Sequence, residues 1–326
     1  MMKAWQIQGW CEPEQMQFND VPVPVPAPSQ VRIHNRAAAL NFFDILQIEG
    51  KYQTRPPFPF TPGAEVSGVV DAIGEGVTDL AVGDRVMAFT LAGGYAQYSL
   101  ADSFRTFPIP EGMGFHEAAA MPIVYHTSWF ALNHRARVQP GETLLVHAGA
   151  SGVGMAAIQI GKSLGARVLA TAGEPAKLEF AKQQGAEEAI NYRLDGWVDR
   201  VKELTERRGA DVIFDPVGGD VFDLSTKCVA SEGRILVVGF TSGRIPTVQV
   251  NRLLLRNISI IGVLWGEYAN ARPWYLGETH RALVTLYLEG KVHPVVANEY
   301  PLSEALRAMW DVAERRATGK SILIIK

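Results

Sequence analysis

Between Glu142 and Lys177 the chain runs through an apolar stretch, a glycine-rich turn, a helical pattern, a second apolar stretch and a lysine. That order constrains the fold more than any single motif, because it describes a βαβ unit built to hold a nucleotide. Thr143-Leu144-Leu145-Val146-His147-Ala148 reads as a buried strand, and Gly149-Ala150-Ser151-Gly152-Val153-Gly154 follows at once. From Met155 to Leu164 small and apolar residues recur at helical spacing, with Ile158, Gly161 and Gly165 allowing close approach to a sheet. A pyrophosphate on a helix N-terminus needs backbone N–H groups aimed at it and no Cβ in the way. Gly152 gives that access, and Gly154 permits tight packing of the helix on the strand. The G-x-G-x-x-G spacing holds at Gly149 and Gly154, with Ser151 in place of the middle glycine. Such a string alone is common in ordinary turns; the strand before it and the helix after it make it a cradle.

The next expected strand, 166–171, discriminates between dinucleotides. An NAD site carries an acidic residue at the end of this strand, about twenty residues past the glycines, to hold the ribose 2′-hydroxyl. Here Ala172-Gly173 stand in that place, Lys177 follows four residues beyond Gly173, and Tyr192 follows a short strand at 188–191. A cation attracts the 2′-phosphate that a carboxylate would repel, so the pairing favours NADPH. The plain reading of Lys177 is a solvated helix residue.

The chain has 326 residues, 47% of them hydrophobic, enough for two cores. Its net charge of −3 gives no bulk attraction to nucleic acid or anionic membrane. The two cysteines, Cys11 and Cys228, lie in no paired motif and give no sign of an oxidising compartment. Met1-Met2-Lys3-Ala4-Trp5 opens on strand-like sequence without a secretory h-region, and no apolar run reaches membrane-spanning length. The expectation is a cytoplasmic enzyme.

From Lys3 to about Pro110 the segments are short, rich in Val, Thr and Phe and punctuated by proline and glycine, which is β texture. From about Pro122 to Gly262 strands alternate with helical stretches: strands at 144–147, 167–171, 212–215, 234–238 and 258–263, helices at 153–164, 175–184 and 196–207. Alternation of this kind makes a parallel, doubly wound sheet. The tail returns to mixed texture, with a strand at 292–300, a helix at 303–316 and a strand at 321–325. The fold class is therefore α/β, with a nucleotide-binding domain, 124–293, inserted between two parts of a β domain, 1–123 and 294–326.

Three strings in order, Pro62-Gly63-Ala64-Glu65-Val66-Ser67-Gly68-Val69-Val70, Gly83-Asp84-Arg85-Val86 and His147 to Gly154, resemble the medium-chain dehydrogenase/reductase superfamily. Within it the likeness, which covers essentially the whole chain, is to the zinc-independent NADPH:quinone oxidoreductases, the branch that includes ζ-crystallin. The resemblance implies a GroES-like β domain, a Rossmann domain and a homodimer. The alcohol dehydrogenase branch holds catalytic zinc on the cysteine of a C-x-x-D string and the histidine of a G-H-E string; this chain reads Asn41-Phe42-Phe43-Asp44 and Gly63-Ala64-Glu65. Two cysteines cannot build a four-cysteine structural zinc lobe, and the seven histidines show no ligand spacing with either. No metal is expected.

Without a Lewis acid to polarise an alcohol or carbonyl oxygen, hydride transfer needs an acceptor that is already electron-poor, a quinone or a C=C conjugated to a carbonyl. The protein then supplies positioning and a proton or hydrogen bond for the developing charge. Asn41 occupies the family position near the nicotinamide, although an asparagine in a turn is commonly structural. Tyr52 resembles the tyrosine that related enoyl thioester reductases use as proton donor; the simpler reading is an aromatic pocket wall. Thr127 resembles a family cofactor contact, whereas His126 reads as an ordinary packed histidine. Phe240, Val263 and Trp265 follow strand ends and are candidate cofactor walls, or plain core. Alternatives are an enoyl-CoA or enoyl thioester reductase, with Arg32, Arg36, Lys51 and Arg55 facing an acidic carrier, and an NADPH-binding protein with little turnover. Residues 257–263 read as a strongly apolar last strand of the nucleotide domain, whose open edge invites pairing with its own copy.

Overall fold

The computed structural model describes residues Met1–Lys326 throughout, in two compact units: Met1–Ile123 with Pro294–Lys326, and Val124–His293. The second unit is built on a six-stranded sheet. Its strands lie in the spatial order Glu188–Asn191, Arg167–Ala172, Thr143–Val146, Ala210–Asp215, Val229–Val237, Ser259–Gly262, every pair parallel. In chain order that is 3-2-1-4-5-6, the doubly wound arrangement whose direction reverses between Thr143–Val146 and Ala210–Asp215. Leu145, Ile213 and Ile235 on the central strands pack with Trp197, Val201 and Phe222 from flanking helices. The expected strands and helices are present, most of them shifted by a few residues at their ends. Fifth and sixth strands differ more: Val229–Val237 begins earlier than expected, and the edge strand is only Ser259–Gly262, half exposed rather than strongly apolar. Several elements of this unit went unread in the sequence, among them a 16-residue helix Pro273–Leu288, a π-helical stretch Phe130–Ala136 and the short helices Gly219–Ser225, Asn251–Arg256 and Trp265–Asn270. The long helix starts on a proline at a position where its missing N–H costs nothing.

The first unit holds a sheet ordered Val296–Pro301, Lys320–Ile324, Gln30–Ala39, Glu65–Ile73, Arg85–Phe89, Thr106–Pro108, with Tyr98–Asp102 also paired to Gln30–Ala39. The returning C-terminal segment is thus structural: Lys320–Ile324 lies antiparallel to Gln30–Ala39, with Ile322 opposite Ala39 and Leu323 opposite Ala38. Trp5, Ile33, Val66, Tyr95, Met309 and Leu323 share one buried core, so both ends of the chain stabilise it together. No helix of the chain is long and apolar enough to cross a membrane.

Candidate functional site

In the second unit, the turn between the first strand and its helix is locked by Ser151. Its hydroxyl donates to the Ala148 carbonyl (2.8 Å) and accepts from the Gly154 N–H (3.1 Å), which makes it the N-cap of the helix Gly152–Ser163. That explains a serine at the middle of the glycine string. A Cβ on Gly154 would stand 2.1 Å from the Ala148 carbonyl oxygen, so this glycine serves the turn, whereas the close packing on the strand falls to Gly161, against Leu144. Gly149 donates its N–H to Thr171 (2.9 Å), tying the turn to the second strand. Ala150, Gly152 and Val153 complete the string. Beneath it His147 is wholly buried between the hydroxyls of Thr171 (2.9 Å) and Ser225 (2.8 Å), and burial lowers its pKa. Ser225 spends its proton on the Val221 carbonyl, so the histidine Nε2 carries the hydrogen and the ring is neutral.

At the end of the second strand a Cβ on Gly173 would meet Arg193 Nε at 2.8 Å and Tyr192 Oη at 3.1 Å. Arg193 was not foreseen, although it adjoins Tyr192. Contrary to the expectation from Ala172-Gly173, the corner does hold an acid. Glu174, one residue past Gly173, sets its carboxylate 3.3 Å from Lys177 Nζ and 3.4 Å from Arg193. Two cations share that one carboxylate, so the corner keeps a net positive charge. Lys177 is mostly covered rather than a solvated helix residue.

Thr127 lies half-buried on the helix Pro122–Trp129. Its neighbour His126 is fully buried, stacked against His280 and tilted against Trp265, so Trp265 packs inside the second unit. Val263 is buried as well, whereas Phe240 is 38% exposed just beyond the fifth strand.

In the first unit Asn41 and Glu65 form a cluster with a residue the sequence reading passed over, Lys320. The register that sets Ile322 opposite Ala39 carries Lys320 to Asn41, and pairing of Val66 with Ala38 brings up Glu65. Lys320 Nζ donates to the Leu40 carbonyl (2.8 Å), Asn41 Oδ1 (2.8 Å) and Glu65 Oε1 (2.7 Å). Asn41 Nδ2 donates to the same Glu65 oxygen (2.8 Å), and Glu65 Oε2 accepts the Ile123 N–H (2.7 Å). Lys320 is 2% exposed and Glu65 not at all. A lysine in an otherwise apolar terminal strand was the one available signal, since such a charge is buried only when paired.

Asn41 is the N-cap of the helix Phe42–Ile48 rather than a turn residue. Asp44 closes the cap: its Oδ2 accepts the Asn41 N–H (2.8 Å) and the Tyr95 hydroxyl (2.8 Å). Burial pushes the Asp44 carboxyl up to about 7 against the pull of those bonds. Tyr52 stacks on Phe43 of the same helix, ring centroids 5.1 Å apart.

Residues 27–120 match the family model described as "Alcohol dehydrogenase GroES-like domain", and residues 152–278 match "Zinc-binding dehydrogenase". The chain is 39% identical to bovine (Bos taurus) quinone oxidoreductase-like protein 2 over 92% of its own length and 86% of the relative's. It is 33% identical to rat (Rattus norvegicus) quinone oxidoreductase over 100% of its length and 98% of that chain. The crystal structure of Escherichia coli quinone oxidoreductase complexed with NADPH superposes with a TM-score of 0.92 at 29% identity, over 99% of both chains. With its GroES-like unit, its doubly wound unit and relatives matched over nearly their full length, the chain belongs to the quinone oxidoreductase family of the medium-chain dehydrogenase/reductase superfamily and is an oxidoreductase.

Proposed function

We propose that the enzyme takes hydride from NADPH and delivers it, without zinc, to a quinone or a similarly electron-poor conjugated carbonyl. The observation that carries the cofactor half is the convergence of Arg193 and Tyr192 on Gly173, with Lys177 joined to Arg193 through Glu174. A phosphate on the ribose would find two cations and a phenol there. The helix Gly152–Ser163 opens directly on the glycine string, where a helix N-terminus suits a pyrophosphate, and Ser151 holds the turn in shape. NADPH, with which the Escherichia coli relative is complexed, would supply the hydride when bound.

The acceptor half rests on the cluster of the first unit. Its oxygens already hold an ammonium, and a zinc ion at Asn41 and Glu65 would meet Lys320. No group of three or more His, Cys, Asp or Glu is placed to hold a metal ion. What the cluster offers is the Asn41 carboxamide, a neutral hydrogen-bonding group suited to an acceptor that needs no Lewis acid. Tyr52, half-exposed and braced by Phe43, serves in this reading as an aromatic wall. We further propose a homodimer formed through the open edge Ser259–Gly262 of the doubly wound sheet.

One experiment tests the reading. NADPH oxidation is followed by absorbance against a panel of quinones and crotonyl thioesters, before and after exhaustive chelation, with metal analysis of the same sample. Turnover on quinones that survives chelation is expected. Stoichiometric zinc whose removal abolishes turnover defeats the metal-free reading, preference for the thioesters makes this an enoyl reductase, and NADPH binding without turnover on any acceptor leaves a binding protein.

A further inference from the structure

The donor and acceptor balance of the buried cluster leaves Asn41 no choice of orientation. Lys320 has three N–H groups and spends all three, on Leu40, Asn41 and Glu65. An ammonium can only donate and a carboxylate can only accept. The Asn41 carboxamide lies between them, with Oδ1 toward Lys320 and Nδ2 toward Glu65. Turning the amide over would set N–H against N–H and oxygen against oxygen in a site where water cannot compensate. The opposed charges of Lys320 and Glu65 therefore write the direction of a neutral group that has no charge of its own. Once these bonds are made, the amide retains one N–H and one oxygen lone pair.

We propose that Lys320 is the positioning residue of this site: acting through Asn41, and in concert with Glu65, it aims one amide N–H at a carbonyl oxygen of the bound acceptor. The proposal deepens the function given above and rests on it. A tethered ammonium does here what a bound cation does elsewhere: it neutralises the buried carboxylate and fixes a polar ligand, yet it cannot dissociate. The acceptor's oxygen gains a preorganised donor, which stabilises charge developing on it during hydride delivery.

Lys320→Met removes the ammonium and keeps the bulk of the stem, but it strands the Glu65 charge, so the charge-balanced pair Lys320→Met/Glu65→Gln is made alongside it. Two readouts are taken on each folded variant. Steady-state kinetics on the best quinone should show kcat lowered about tenfold or more, in the range of losing an oriented donor, with the dissociation constant for NADPH within about twofold of the parent. The side-chain amide resonances of Asn41, assigned by their loss in Asn41→Ala, should give one well-dispersed pair in the parent and a shifted or averaged pair in the variants, with no substrate present. If Lys320→Met fails to fold, the paired variant decides. A paired variant with parental kcat, or with unaltered Asn41 resonances, overturns the proposal. If the parent reduces no acceptor while the resonances respond as expected, the function reading fails and the positioning role stands without it.

Discussion

Lys177 and Tyr52 each carry a chemical decision on a single side chain. Lys177 shares Glu174 with Arg193, so a 2′-phosphate entering this corner must compete with a carboxylate already in place. A hydrogen bond to a charged group is worth about 1.5–3 kcal/mol, so Lys177→Ala should weaken NADPH binding about tenfold or more and leave NADH nearly unchanged, as measured by fluorescence titration with both cofactors. Equal losses would detach Lys177 from the phosphate. Tyr52→Phe keeps the ring on Phe43 and removes only the hydroxyl. A quinone's oxyanion can take its proton from water, so kcat on quinones should change little; a carbon that must be protonated needs a positioned acid worth ~10²–10⁴-fold. A loss of that size on a crotonyl thioester would transfer the proton-donor role to Tyr52. Of these side chains, those near the glycine string were legible because strand, turn and helix are local. Glu174 was not read as part of the corner because whether a carboxylate opposes or joins its neighbouring cations is decided by where Arg193 folds back. Lys320 was hidden for a stronger reason: it reaches Asn41 and Glu65 only through the register of three strands.

The short helix Phe42–Ile48 owes its start to two side chains turned in different directions. Asn41 would ordinarily cap it, but its carboxamide is engaged by Glu65 and Lys320, and Asp44 reaches back to the N-cap N–H instead. Asp44 is fully buried, with Oδ1 unpartnered, and facing it are Tyr95, Asn41, Lys320 and Glu65. Its carboxyl is held protonated to about 7 in the folded chain, chiefly by burial, whereas the unfolded chain releases that proton at about 4. The protonated cap therefore contributes stability that is complete at low pH and is lost as pH rises through that interval, with a slope of about 1.4 kcal/mol per unit. Thermal or denaturant unfolding of the parent minus that of Asp44→Asn, across pH 4 to 8, should show this decline in the difference; a flat difference would mean that Asp44 is ionised throughout. Sequence texture could show that a strand-rich region precedes Pro110, but not that Asn41 stands at the N-cap position of a helix with its carboxamide engaged elsewhere, because that depends on which partner wins the side chain.

At the scale of the whole molecule, a group of highly exposed apolar side chains lies near one edge of the doubly wound sheet. Leu254 and Leu255 are each 77% exposed and Val250 73%, on or beside the helix Asn251–Arg256 that leads into the edge strand Ser259–Gly262. Water tolerates such a patch poorly, and an unpaired strand edge beside it is a template for a second chain. Light scattering at micromolar concentration should give twice the chain mass, and Leu254→Glu/Leu255→Glu should shift it toward the monomer. A monomeric parent would refute the assembly. The strand–helix alternation of the doubly wound half was legible because those elements follow one another along the chain, whereas the first unit's sheet is closed by a strand from the far end.

That closure sets an order of events during synthesis. Glu65 leaves the ribosome 255 residues before Lys320, an interval of ~13–50 s at ~5–20 residues per second. Throughout it the nascent first unit lacks both the strand that completes its sheet and the only ammonium that neutralises its buried carboxylate, while the contiguous Val124–His293 has everything its own sheet requires. A chain that ends short of Lys320 therefore carries every strand of the doubly wound sheet and its glycine turn, but neither the strand Lys320–Ile324 nor the ammonium that holds Asn41.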